Sequence, residues 1–227
     1  MFKGKINIPN LIFILVNLVP VIGVLAEGWD PLRVFLFYCL ETILVGLFHV
    51  VKMVIIFVMN QPRHSDFPTS RIGLFGLFLF FVVFFIFHYG IFVFVQTSMF
   101  FGISGLYKGS LLGLTNPETL KNLIGNEGML MLAIFIAYYS LQTIREASAF
   151  SLNKTGDLAK LMFQPYGRVL VQQFALIFGG MFLAFKWGTV FIVIFVLTRI
   201  YLEVFGNFGG LLNNAVEKAD ALRQEEK

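Results

Sequence analysis

Twelve polar side chains that could do chemistry lie inside apolar stretches of this chain. They are carboxylates, cations, imidazoles and amides, which can ligate metals, carry protons or bind ions. An ionisable side chain within a membrane span costs roughly 2.5 to 3.5 kcal/mol on insertion scales, so such groups are usually paired or functional. The candidates for a buried polar network are Glu41, His49, Lys52, His88, Gln96, Gln142, Arg145, Glu146, Arg168, Gln173, Arg199 and Glu203.

Three of these candidates share one face of the second apolar stretch. Glu41, His49 and Lys52 follow helical spacing, with Glu41 and Lys52 about three turns apart and therefore not in contact. One interpretation is a polar stripe that faces an internal cavity. The other is that each charge pairs with a different helix and fixes the packing.

The last apolar stretch carries Arg199 and Glu203, four residues apart. Residues at this spacing are neighbours on a helix and can form an ion pair, which lowers the cost of both charges in lipid. We therefore predict a structural Arg199–Glu203 pair.

The fourth and fifth stretches add Gln142, Arg145 and Glu146, then Arg168 and Gln173. Counting Lys52, Arg145 and Arg168 against Glu146 and Glu203 leaves an excess of positive charge, which would attract an anionic headgroup or solute. Arginines near the end of a span can instead extend to the interface without binding anything.

His88 lies near the midpoint of the third stretch, within a run of phenylalanines. A neutral imidazole needs one donor and one acceptor, and Gln or Glu side chains of neighbouring helices are the expected partners. A metal site needs three or four good ligands, so His88 is only a weak metal candidate. We expect no metal, no other cofactor and no catalytic residue.

One motif looks catalytic. Residues 102–105 match the Gly-x-Ser-Gly pattern of rhomboid intramembrane proteases, but no histidine follows Ser104 to act as its base. We expect an ordinary helix end there.

Composition and length define the fold class. Hydrophobic residues make up 58% of the chain and 29 of its 227 residues are Phe, which indicates an integral membrane protein. We predict an all-α, six-helix transmembrane bundle over residues 1–210, a short interfacial amphipathic helix between spans 3 and 4, and a charged cytoplasmic tail over 211–227. The predicted spans are 8–26, 31–59, 72–103, 128–150, 165–186 and 189–210.

The distribution of Lys and Arg over the connections predicts the orientation. With the N-terminus in the cytoplasm, the cytoplasmic connections receive Lys3, Lys5, Arg63, Arg71, Arg145, Lys154, Lys160, Arg168, Lys218, Arg223 and Lys227. The opposite side receives only Arg33, Lys108, Lys121 and Lys186. Both termini should therefore be cytoplasmic. The net charge of +4 reflects this bias and attraction to anionic lipid, and no basic-aromatic stripe indicates nucleic acid.

Several short motifs resemble a known family. They are Asn17–Gly23, Gly28-Trp29, Phe37–Thr42 with Gly46 and Lys52, His88–Phe92, Gln164–Arg168 and Arg199–Glu203. Together they resemble an uncharacterised bacterial membrane-protein family, the domain of unknown function 6498. The resemblance implies localisation in the inner membrane and no known activity. It also implies intramembrane histidines at positions that here hold His88, Gln96, Leu141 and Gln173, so most of them would be replaced.

Three functions remain open. The first is a non-enzymatic structural or accessory subunit that acts through membrane lipids or other membrane-protein subunits. The second is a small-solute or ion transporter or channel that uses the polar groups of spans 2 to 6. The third is a metal-binding membrane enzyme, against which the missing histidines argue.

Overall fold

The computed structural model describes most of the chain. It covers residues 8–59, 71–105, 109, 113, 116–150, 155–167, 169–170, 174, 187–205, 214 and 218, without the side chains of Arg71, Thr155, Ala159, Glu203 and Phe205. Its described helices are α1 (Ile8–Ala26), α2 (Pro31–Met59), α3 (Arg71–Ser104), α4 (Pro117–Ala149), α5 (Thr155–Phe163) and α6 (Gly188–Phe205).

A tight turn joins α1 to α2. Gly28 adopts a φ of 70°, and the backbone N–H of Trp29 donates to the carbonyl of Gly23 at 3.0 Å, so the chain folds back on the end of α1 through a left-handed glycine. Asp30 then caps α2, because its Oδ1 accepts a hydrogen bond of 2.9 Å from the N–H two residues on. In the sequence, Asp30 directly before Pro31 predicts a cap at this position, and the hydrogen bond confirms it.

The protease-like motif, residues 102–105, lies at the end of α3. Ser104 is the last residue of the helix, and Gly105, with a φ of 62°, donates its N–H to the carbonyl of Phe101 at 3.0 Å. This is a left-handed helix cap, the ordinary role predicted for these residues.

α4 contains both the predicted amphipathic helix and the predicted fourth span. It begins after Asn116, whose Oδ1 accepts a hydrogen bond of 2.9 Å from the N–H of Glu118. It is interrupted at Gly125, which has a φ of 72°. Ahead of this break, Ile124 is buried while Glu118 and Lys121 are exposed, so the first segment is amphipathic, as expected.

A helix also lies where the sequence prediction leaves a connection. α5 is nine residues long and buries Leu158 against Leu74, Leu77, Phe81 and Phe150. The prediction missed α5 because two or three helical turns provide too short a periodic pattern to separate from a loop.

Four described helices are long and apolar enough to cross a membrane. They are α1, α2, the part of α3 from Ile72 to Ser104, and α4, and a shorter apolar helix covers Gly188–Leu202. The protein therefore has the make-up of an integral membrane protein. Most of the predicted fifth span and of the tail lies outside the described residues, so the count of six spans stays a prediction.

The packing divides the chain into two compact units. The first unit comprises Met1–Ile43, Phe92–Tyr138 and Arg168–Gly206. The second unit comprises Leu44–Ile91, Tyr139–Gly167 and Asn207–Lys227.

Aromatic side chains form much of both interiors. In the first unit, where α1 packs on α6, the buried ring of Phe35 lies 5.2 to 5.6 Å from the rings of Phe100, Phe191 and Phe195. In the second unit, the ring of Phe85 lies 4.9 Å from that of Tyr89. Tilted and edge contacts of this kind add specificity to apolar burial.

Candidate functional site

The first candidate site is a buried ion pair in the first unit. Both terminal guanidinium nitrogens of Arg199 donate to the two carboxylate oxygens of Glu41, one to each. Arg199 is 2% exposed and Glu41 is fully buried. A two-pronged pair of this kind satisfies both oxygens of the carboxylate and fixes the geometry of the pair. It connects α6 to α2.

Two aromatic rings complete the surroundings of this pair. The guanidinium carbon of Arg199 lies 5.0 Å from the ring centroid of Tyr38 and 5.6 Å from that of Phe13, within the range of cation–π attraction. The Tyr38 hydroxyl donates to the carbonyl of Asn17 at 3.4 Å, and the Asn17 amide donates to the carbonyl of Phe13 at 2.9 Å. We call Phe13, Asn17, Tyr38, Glu41 and Arg199 the Arg199 site.

The predicted partner of Arg199 was Glu203. The side chain of Glu203 is outside the described residues, whereas Glu41 takes both terminal nitrogens of Arg199. The contact that the structure provides for Arg199 therefore joins two helices far apart in the sequence.

The second candidate site surrounds Lys52 in the second unit. Its ammonium nitrogen lies 2.9 Å from Glu146 Oε2 and donates to Gln164 Oε1 at 2.7 Å. Gln142 donates to the other oxygen of Glu146 at 2.6 Å. Lys52 and Glu146 neutralise each other, and the two amides supply further hydrogen bonds to these charges.

His49 lies one turn before Lys52 and is 4% exposed. Its ring is 4.9 Å from that of Phe85 and is hydrogen-bonded to the backbone of Leu161. Within the described part of the chain, His49 Nε2 and Gln142 Oε1 have no hydrogen-bond partner. We call His49, Lys52, Gln142, Glu146 and Gln164 the Lys52 site.

His88 pairs with a tyrosine. Its Nδ1 lies 3.2 Å from the hydroxyl of Tyr166, and the two ring centroids are 5.3 Å apart. The sequence predicts Gln or Glu side chains of neighbouring helices as partners of this imidazole. A phenol serves equally well, since it both donates and accepts a hydrogen bond.

Two of the remaining candidates are described. Gln96 is buried and its amide lies 3.7 Å from the sulfur of Cys39, while Arg145 is exposed on α4. Arg168 and Gln173 lie outside the described residues. Among the described residues, no group of three or more His, Cys, Asp or Glu side chains could hold a metal ion.

Two close approaches between glycine and an aromatic ring support the helices that carry these sites. A Cβ atom at Gly23 would lie 2.3 Å from Trp29 Cδ2, and one at Gly46 would lie 2.5 Å from Tyr89 Cε1. Both distances are below any normal contact, so each ring occupies the space that a larger residue would need.

Comparison with known proteins agrees with the resemblance inferred from the motifs. A model described as a family of unknown function (DUF6498) matches residues 1–227. The chain belongs to this family. No curated protein and no solved structure matches the chain.

The motifs that indicated the DUF6498 family also contain most of the contacts described above. Asn17, Tyr38, Glu41 and Arg199 form the Arg199 site. The other motifs supply Gly23 and Trp29, Gly46 and Tyr89, Lys52 and Gln164, and His88 and Tyr166. In this DUF6498 chain the family motifs are therefore largely the places where helices contact each other.

Sequence reasoning missed four members of the two sites. Phe13, Asn17 and Tyr38 were not among the candidates for the polar network, and neither was Gln164. The available signal was the occurrence of Tyr38 and Gln164 in the same short motifs as charged residues, and of Asn17 in another motif of the same set.

Proposed function

We propose that this protein is a non-enzymatic, six-span inner-membrane protein, a structural or accessory subunit that acts through lipids or protein partners. The supporting observation is that its described buried charges have protein partners: Arg199 with Glu41, and Lys52 with Glu146. Removing one partner of a buried pair is strongly destabilising, so each of these charges helps to fix the packing of two helices.

The surface of α3 supports a role among lipids or other apolar helices. α3 is the least buried of the four long helices. In its most apolar stretch of 18 residues, 22% is buried. Phe80, Phe87 and Phe94 are each more than 60% exposed. Large apolar surfaces of this kind are covered by acyl chains or by neighbouring membrane helices.

The proposed orientation has both termini in the cytoplasm, from the distribution of Lys and Arg. In a Cys39→Ala background, a single cysteine at Lys227 should resist a membrane-impermeant thiol reagent in intact cells and react after lysis. A cysteine at Lys108 should react in intact cells. The reverse pattern would overturn the orientation.

A small-solute or ion transporter is the second candidate, and one observation favours it. His49 Nε2 and Gln142 Oε1 are buried beside the Lys52–Glu146 pair without a hydrogen-bond partner among the described residues. Buried polar atoms of this kind are often satisfied by water, and a water-filled path through the second unit would supply it.

A cysteine at position 49 distinguishes the two functions. In a lipid nanodisc and in the Cys39→Ala background, His49→Cys should react slowly with a charged thiol reagent. Its rate should match that of Cys39 in the unaltered protein, which is 2% exposed. A cysteine in place of Glu118, an exposed residue in the first segment of α4, provides the rate for a site open to water. Reaction of His49→Cys at that rate would contradict the structural role and support a solute pathway.

The proposal includes no resident metal. Tyr166 engages the Nδ1 of His88, and among the described residues no group of three or more His, Cys, Asp or Glu side chains offers the ligand set that a metal needs. Elemental analysis of protein purified without chelator should show well under one zinc, copper or iron per chain. A stoichiometric metal that is lost in His88→Gln would revive the metalloenzyme alternative.

A further inference from the structure

A cleft of about 320 Å³ opens in the first unit, between the α1–α2 turn and the break in α4. Its lining combines polar groups with buried apolar side chains, among them Phe37 and Met131. Trp29 forms part of the wall, and its indole also lies against Gly23. The volume is at the lower end of the range for small-molecule sites, which start at about 300 Å³.

The charged groups of the cleft have a strong negative bias. The carboxylates of Glu27, Asp30 and Glu127 and the guanidinium of Arg33 belong to its lining, and all four residues are exposed. Three carboxylates and one guanidinium leave two negative charges in excess. The cleft therefore attracts cations.

Two glycines with positive φ shape this arrangement. Gly28, with a φ of 70°, turns the chain so that Trp29 folds back onto α1. Gly125, with a φ of 72°, brings Glu127 next to Arg33: a Cβ atom at Gly125 would lie 2.6 Å from Glu127 Oε2 and 3.3 Å from Arg33 Nη1. The cleft is thus formed by the same backbone turns that begin α2 and interrupt α4.

The spacing of the carboxylates distinguishes between kinds of cation. Within the described residues, no three carboxylates, histidines or cysteines converge closely enough to hold a metal ion. A metal ion also gains nothing from the buried apolar side chains of the lining. An organic cation with an alkyl part suits both the separated carboxylates and the apolar lining residues. Its charge can lie among the carboxylates while its alkyl part contacts the indole of Trp29 and the buried side chains beside it.

We propose that this cleft binds a small organic ammonium ion. The ammonium group lies among Glu27, Asp30 and Glu127 and against Trp29, and the alkyl part contacts the buried apolar side chains of the lining, such as Phe37 and Met131. The guanidinium of Arg33 opposes binding through its like charge. The proposal does not depend on the orientation of the protein in the membrane or on its wider function.

Fluorescence of Trp29 provides the test. The chain has two tryptophans, so Trp187→Phe leaves Trp29 as the only one. Purified protein in a nonionic detergent is titrated with butyltrimethylammonium chloride, with sodium chloride at equal ionic strength as the control. We expect a saturable change of fluorescence with the ammonium salt only.

Three variants test the charges, each checked for folding by gel filtration in detergent. Glu127→Gln should weaken binding by roughly two- to fivefold, the range for one exposed charge pair, whereas Arg33→Gln should strengthen it. Glu118→Gln removes an exposed carboxylate of α4 that does not line the cleft and should leave binding unchanged.

Glu127→Gln and Arg33→Gln are expected to change the affinity for the ammonium ion in opposite directions. A loss of structure would instead weaken binding in both variants. The proposal fails if the ammonium salt has no effect beyond sodium chloride. It also fails if Glu127→Gln and Arg33→Gln change affinity in the same direction, or if magnesium chloride at equal ionic strength produces the same saturable change.

Discussion

Arg199→Leu should lower the free energy of unfolding by about 3 to 5 kcal/mol, because it leaves the carboxylate of Glu41 buried without its cation. Glu41 is fully buried and both of its oxygens accept from Arg199. Glu41→Leu should have a similar effect, since it strands the guanidinium instead. Thermal unfolding of the purified protein in detergent measures both losses.

The double variant and two controls make this prediction specific. Replacing both partners with leucine should restore part of the lost stability, because an apolar pair of similar volume needs no compensating charge. Arg145→Leu makes the same substitution at an exposed arginine and should change stability by no more than about 0.5 kcal/mol. A double-mutant cycle of Arg199 with Glu203 should show less coupling than the cycle with Glu41. Additive losses in the Glu41 cycle would refute the pairing.

Gly46→Ala should destabilise the protein by about 1 to 3 kcal/mol, the usual cost of overpacking a filled interior. The added methyl group would lie 2.5 Å from Cε1 and 3.0 Å from Cδ1 of Tyr89. The ring is 4% exposed and packs against Phe85 and Tyr166, so it has little room to move. The melting temperature in detergent is the measurement.

Gly90→Ala is the matched control, because a Cβ atom at Gly90 would meet nothing within 4 Å. That change should be neutral or slightly stabilising, since alanine favours a helix over glycine. As a single change, Tyr89→Leu should lower stability because it removes the buried ring. In the Tyr89→Leu background, Gly46→Ala should then cause almost no further loss. If Gly46→Ala is equally costly with and without the Tyr89 ring, the close contact is not its cause.

The ends of the helices were largely predictable from the sequence. Asp30 before Pro31 indicated where α2 begins, and Gly105 after Ser104 indicated where α3 ends, because caps and breakers act on backbone groups only a few residues away. α1 and α2 have the predicted bounds, and α3 differs by one residue at each end. Local chemistry is enough for features of this kind.

The partners across helices were not predictable in the same way. Helical spacing shows which side chains share a face, and on that basis Arg199 was assigned to Glu203 within its own helix. The choice of Glu41 depends on how α6 packs, and the pairing of Gly46 with Tyr89 depends on a close approach between two separate helices. A single sequence contains no measure of those distances.

The separation of the Arg199–Glu41 pair has a consequence for biosynthesis. The two residues are 158 positions apart, and α6 is the last of the described helices. While the ribosome is still translating the intervening chain, Glu41 has already been made and Arg199 has not. The carboxylate of Glu41 in α2 therefore cannot pair with Arg199 before α6 has been synthesised. The Arg199 site can form only in a chain that has been translated at least as far as residue 199.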